Sequence, residues 1–179
     1  IPLSTENSRY DLDFDHRSAY MGGRWSPSSQ LQFEASLYSE TLDNIDATLG
    51  GRWSLRETLP RAGMVYRAGD NQTWRLAHFE TLLPSAAARL DPSTVAGIRI
   101  TRNIQAGALV RETDIQWELE LPQALVKLNL FDADKTLTSS QLLGGVQVES
   151  TASGEISGTE MSYEQLIGRQ TGLSLSLLG

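Results

Sequence analysis

The sequence predicts an all-β chain, folded as an antiparallel up-and-down meander. Three observations predict it. Apolar and polar residues alternate with period two in run after run, helical spacing is nearly absent, and tight-turn residues separate the runs. Tyr10, Leu12 and Phe14 alternate with Asp11, Asp13 and Asp15, opening a run that reaches Trp25 with a register break near His16 to Ser18. Leu31, Phe33, Ala35 and Leu37 alternate with Gln32, Glu34 and Ser36. Ile45, Ala47, Leu49, Gly51 and Trp53 read as a further strand. So do Ile115 to Leu121, with Glu118 and Glu120 on the wet side, and Val126 to Leu130, with Lys127 on it. Helix is expected only in short pieces, over 85–90 and 163–167. Ser26-Pro27-Ser28-Ser29, Ala68-Gly69-Asp70-Asn71 and Leu121-Pro122-Gln123 carry the chemistry of tight connections. Longer polar segments fall near 83–93 and 136–141. Eight to ten strands follow.

Composition narrows the function classes. The 179 residues carry a net charge of −7, so no basic stripe is available to neutralise nucleic-acid phosphates. There is no cysteine, which removes disulfide scaffolds, thiol catalysis and Cys-ligated zinc. A hydrophobic fraction of 40% is enough for a core, and no apolar run is long enough for a membrane-spanning helix. Strands can still cross a bilayer. Soluble strands average about 5–6 residues, whereas a tilted spanning strand needs about 9–11. The runs over 10–25, 30–40 and 112–121 reach spanning length. The expectation is therefore an outer-membrane β-barrel or part of one, with a soluble β-sandwich as the alternative. Gly22-Gly23-Arg24-Trp25-Ser26 recurs as Gly50-Gly51-Arg52-Trp53-Ser54, and Tyr66 with Trp74 forms a looser echo. Aromatics at one level, next to turns, suit a membrane-interface girdle, so Trp25, Trp53, Trp74 and Tyr66 are the candidate interface residues. Asp11, Asp13, Glu34, Glu118, Glu120 and Lys127 are the candidate lumen-lining charges. Arg24, Arg52, Arg67, Arg75, Arg99 and Arg111 recur on or near strands, where some would face the acids and orient polar solutes.

A resemblance sharpens this expectation. Trp74-Arg75-Leu76-Ala77-His78-Phe79-Glu80-Thr81-Leu82-Leu83-Pro84 is followed by Arg89-Leu90-Asp91-Pro92-Ser93-Thr94-Val95-Ala96-Gly97-Ile98, and later by Thr113-Asp114-Ile115-Gln116-Trp117-Glu118. This resembles the C-terminal outer-membrane barrel region of bacterial proteins that carry tetratricopeptide repeats upstream, over about residues 10–135. The resemblance implies a passive pore or export conduit for polar solute or polysaccharide in a Gram-negative outer membrane. Partners would be the lipid bilayer and polysaccharide or periplasmic assembly factors, with no cofactor and no catalytic chemistry. The single β region over 1–179 would be a piece of a larger barrel. On the sandwich alternative, the chain is a periplasmic or extracellular module binding carbohydrate or a protein partner.

Other motifs lead to chemistry. Leu130-Phe131-Asp132-Ala133-Asp134-Lys135-Thr136 resembles the first motif of haloacid-dehalogenase-type phosphatases. That resemblance implies Asp132 as nucleophile, Asp134 as acid/base and Mg²⁺ between them and the phosphate. No Lys follows Lys135, and no βαβ alternation surrounds the motif, so the parallel sheet such an enzyme needs is missing from the pattern. The carboxylates of Asp11, Asp13 and Asp15 share a strand face and could take a calcium ion or simply meet water. Glu118 and Glu120 form a second acidic pair, but on one strand face rather than on opposite sides of a sugar. His16 and His78 have no motif spacing between them.

Overall fold

A computed structural model describes residues 12–46, 52–82, 94–99, 108–143, 146–167 and 171–179. Ten strands follow in order: β1 (Leu12–Trp25), β2 (Leu31–Asp46), β3 (Arg52–Arg67), β4 (Gln72–Leu82), β5 (Thr94–Val95), β6 (Ile98–Arg99), β7 (Ala108–Leu121), β8 (Ala124–Leu143), β9 (Val146–Ile167) and β10 (Thr171–Leu178). Eight of them form one sheet in the order β1-β2-β3-β4-β7-β8-β9-β10, each antiparallel to its neighbour; β5 and β6 form a separate hairpin. The chain is an all-β antiparallel meander, as the alternation requires.

The connections at one end of the sheet are all short. β1 and β2 are joined through 26–30, where the Ser28 Oγ accepts from the backbone N–H of Gln30 and Leu31 at 3.3 and 3.1 Å. β3 and β4 turn at 68–71, with Gly69 at a φ of 100° and the Ala68 N–H donating to the Gln72 carbonyl at 2.9 Å. β7 and β8 turn at Pro122-Gln123, where proline gives up no ladder hydrogen bond.

Four local expectations are overturned. The run over 45–53 is not one strand: Ile45 pairs with Arg52, so the chain reverses between them. Residues 47–51 lie outside the described residues. Residues 163–167 are not helical but finish β9, where ladder bonds to Ala124, Leu125 and Val126 satisfy the backbone. The polar segment 136–141 continues β8 against β9, with Ser139 opposite Ser150; Thr and Ser sit readily in a ladder that is paired along its length. Finally, β1 shows no break at His16 to Ser18, because it pairs residue for residue with β2 from Leu12↔Asp46 to Trp25↔Phe33. The expected helix over 85–90 lies outside the described residues.

The two faces of the sheet differ. One face is covered: Tyr38, Leu59, Val65, Ala77, Phe79, Val110 and Phe131 are buried there. The β5–β6 hairpin lies on it, and Val95 and Ile98 pack with Ala77 and Phe79 into a core cluster. A second cluster, Tyr38, Leu59 and Leu82, sits where β3 and β4 part, since their pairing stops at Arg61↔Phe79. The other face is open. Met21, Trp25, Leu37, Tyr66, Trp74, Leu76, Ile115 and Leu130 stand on it exposed. Pairing across an antiparallel ladder keeps partners on one face, and the division holds over the middle of the sheet; at its flanks the covered face opens, with Tyr20 opposite Tyr38 and Ile156 opposite Ala133 both exposed.

Candidate functional site

On the open face, apolar side chains form a band beside the short turns. One cross-strand row reads Leu31, Tyr66, Trp74, Trp117, Leu128, Met161 and Leu177; the next reads Trp25, Phe33, Met64, Leu76, Ile115 and Leu130. Trp25 stacks on Phe33 with ring centroids 5.7 Å apart, and Trp74 tilts against Trp117 at 6.4 Å. Above the band the same face turns polar. Arg111 Nε meets Glu80 Oε1 at 3.2 Å, His78 Nδ1 and Thr113 Oγ1 share a hydrogen bond of 2.9 Å, and Asp132 and Asp134 follow on β8.

The upper border of the band does not follow the hydrogen-bond rows. It stands at the Leu37↔Pro60 pair on β2 and β3, at Leu76, Ile115 and Leu130 on β4, β7 and β8, and at Met161 and Leu177 on β9 and β10. Ser36, one step nearer the turns than Leu37, heads a row through Arg61, Phe79, Glu112 and Ala133 that reaches β9 at Ile156, and Met161 lies five residues further toward the turns, so the border shifts by six residues. At about 3.4 Å per residue and about 4.8 Å between strands, the border runs roughly 35–40° away from the ladder direction.

The covered face carries a belt of alternating charge. Arg24 Nη2 meets Glu34 Oε2 at 3.3 Å between β1 and β2. Arg75 on β4 donates to Glu118 Oε2 on β7 from Nε at 3.0 Å and Nη2 at 2.8 Å. Gln116 donates to the other Glu118 oxygen at 2.7 Å. Glu118 stands directly across the ladder from Lys127, whose Nζ lies 3.9 Å from Glu164 Oε1 on β9. The belt also drifts. The row of Glu34 reaches β9 at Gly158, six residues from Glu164. Belt and band therefore slant in the same sense and by the same number of residues. Both would lie level if the strands were tilted by about 35–45°, the tilt of a closed barrel.

The hairpin bridges the belt where β3 offers no charge. Its turn places Ala96 at φ 51° and Gly97 at φ 83°. The Ala96 N–H donates to Glu34 Oε1, and the Ala96 carbonyl accepts from Arg75 Nη1 at 2.8 Å. Gly63 makes the seat: a Cβ there would fall 2.7 Å from Ala96 Cβ and 2.9 Å from Val95 Cγ1. Beside it, Tyr20 and Tyr38 stack at 5.2 Å, and the Arg61 guanidinium lies 3.6 Å from the Tyr38 ring centroid. With Arg24, Glu34, Thr94 and Val95 they line a cavity of about 330 Å³.

Of the charges named from sequence, Glu34, Glu118 and Lys127 come together in the belt. Glu120 lies on β7 at the exposed end beside the turn, where its N–H donates to the Asn71 carbonyl at 2.8 Å. Asp13 lies on β1 opposite Ile45, its side chain outside the described residues, as is Asp11 altogether. Of the aromatics, Trp25, Tyr66 and Trp74 gather near the turn end; Trp53 pairs with Asn44 at the far end of β3, so the four do not share one level. That follows from the reversal between Ile45 and Arg52. Arg111 stands on the open face beside Glu80 rather than with the belt. Asp132 and Asp134 sit mid-strand in an antiparallel ladder opposite Thr113 and Arg111, not in a loop after a parallel strand. Among the described residues, no three His, Asp or Glu side chains converge as metal ligands would. The sequence reading placed Arg75 among the arginines that could face the acids without naming its partner Glu118, and it missed Gln116 and the docking of Ala96. Only the Val95-Ala96-Gly97-Ile98 string, a hydrophobic pair around a glycine turn, hinted at the last.

Neither a protein-family model nor a curated protein matches the chain.

Proposed function

We propose that this chain forms wall of an outer-membrane β-barrel, serving as a passive pore or export conduit for polar solute or polysaccharide. The observation that carries the reading is the shared slant of two belts on opposite faces. An apolar band meeting lipid must lie parallel to the membrane plane, and a ring of charge around a lumen must do the same. Strands tilted by about 35–45° satisfy both requirements at once. On a sheet lying in water, nothing would tie the slope of one face to the slope of the other. Strand lengths agree: β1, β2, β3, β4, β7, β8 and β9 have 11 to 22 residues, at or above the roughly 9–11 needed to cross. Trp25, Trp74 and Tyr66 act as interface aromatics at the turn end.

In hydrocarbon every backbone group must be paired, so the edges of β1 and β10 would have to pair, with each other or with further strands, to close the wall. The belt of Arg24, Glu34, Arg75, Glu118, Lys127 and Glu164 would then set a transverse field across the lumen that hydrates and orients polar solutes. The test is refolding into lipid vesicles followed by planar-bilayer recording. The reading expects a requirement for detergent or lipid and ion-conducting steps. A chain that stays monomeric and soluble without detergent, and passes no current, overturns it in favour of a soluble binding module.

A further inference from the structure

The β5–β6 hairpin lies among side chains that the conduit reading places in the lumen, and the inference here rests on that reading. We infer that residues 94–99 form a releasable internal plug, seated on Gly63 and latched by Glu34 and Arg75, whose departure widens the conduit.

Three features single out docking rather than ordinary loop packing. First, the latch is polar and reciprocal. One peptide of the turn is held at both ends: the Ala96 N–H by Glu34 and the Ala96 carbonyl by Arg75 at 2.8 Å. The two side chains come from β2 and β4, with β3 between them, and both also belong to ion pairs of the belt, Arg24–Glu34 and Arg75–Glu118. When the turn leaves, neither charge is stranded, because each retains its partner on the wall. That makes release far cheaper than breaking a buried pair outright.

Second, the seat is a hole of the right shape. Gly63 is the position on β3 where any side chain would strike Ala96 and Val95. Gly97 in turn leaves room for the Arg75 guanidinium, which an added Cβ would meet at 2.6 Å. Third, the apolar anchoring is confined to three side chains, Val95, Ala96 and Ile98, each 2–3% exposed, and the hairpin ladder itself has only two pairs, Thr94↔Arg99 and Val95↔Ile98. A two-stranded ribbon of this size has little stability apart from its seat. Its order is borrowed from the wall, so loss of the seat should release it without unfolding the sheet.

The experiment compares the wild-type chain with Gly63→Val, which fills the seat, and with Glu34→Ala, which removes one jaw of the latch without adding bulk. Trypsin cleavage after Arg99 in refolded, vesicle-inserted protein reports undocking, and planar-bilayer current reports the opening. The expected result is cleavage at least about tenfold faster in both variants, together with a severalfold larger unit conductance. The chain has no cysteine, so Gly63→Cys with Ala96→Cys gives a clean cross-link. The disulfide needs its Cβ atoms about 3.8 Å apart, roughly 1 Å more than the present approach. The oxidised pair should hold the conductance at the wild-type level, and reduction should raise it.

Unchanged cleavage in both variants overturns the seat and latch. Accelerated cleavage with unchanged conductance overturns the plug while leaving the conduit standing. Absence of current in every protein, including wild type, overturns the conduit and the plug together. Should Gly63→Val not fold, Glu34→Ala and the cross-link carry the same decision.

Discussion

Leu128→Lys is the sharpest test of what the open face touches. Leu128 lies at the middle of the apolar band on β8, between Trp117 on β7 and Met161 on β9. The band on β8 runs from Ala124 to Leu130, six residue steps; at about 3.4 Å per step and a tilt near 35–40° it is about 16 Å deep. On the barrel reading Leu128 would therefore lie several ångströms inside the hydrocarbon from either border. A lysine near the midplane of a barrel wall costs about 2–4 kcal/mol, falling to about 0–1 near an interface. On a water-facing sheet the same change to a half-buried leucine would lose part of one side chain's burial, about 1 kcal/mol, which the exposed ammonium does not increase. The assay is urea unfolding of the chain refolded into lipid vesicles, followed by Trp fluorescence and by the gel shift between folded and unfolded forms. The expected loss is about 3 kcal/mol at Leu128 and about 1 kcal/mol or less for Ala124→Lys at the band's lower edge. Equal losses at the two positions, or a loss at Leu128 of about 1 kcal/mol, would show that the face meets water or protein, and the argument from the slanting band would fail.

Two further predictions concern the covered face. The Arg75–Glu118 pair is partly buried, with side-chain exposures of 24% and 11%, and should show a coupling of about 1–2 kcal/mol in an Arg75→Ala/Glu118→Ala double-mutant cycle measured by the same unfolding assay; a coupling near zero would make the belt a surface decoration. Arg61→Met removes a guanidinium that is 1% exposed, lies over Tyr38 and stands 4.0 Å from the Glu40 carboxylate, and should cost about 3 kcal/mol, more than Arg24→Met at the exposed end of the belt; circular dichroism of the thermal transition ranks the two.

Much of the sheet was legible in the sequence. Strand alternation with a period of two is a local property, and it placed Glu34, Glu118 and Lys127 on one side and Phe33, Ile115, Trp117 and Leu128 on the other. Turn residues located three of the short connections, because Gly69, Pro122 and Ser28 act on their own backbone. Errors came where a local pattern had two meanings. Ile45 to Trp53 alternates in sequence across a reversal of the chain, and only the pairing of Ile45 with Arg52 separates one strand from two. Tyr163 to Ile167 could have closed a helical turn until the ladder with β8 claimed its hydrogen bonds.

The sequence by itself determined the all-β class, the division of each strand into a wet and a greasy side, and three of the places where the chain turns back. Register, and so the slant of both belts, came from the tertiary structure, because a slip of two residues leaves every side chain on its face but shifts a whole strand along its neighbour. The docking of Ala96 between Glu34 and Arg75 lies in the same category. Its partners are 62 and 21 positions away along the chain, and no periodicity extends that far; only the pairing of β2, β3 and β4 brings the two jaws to either side of Gly63.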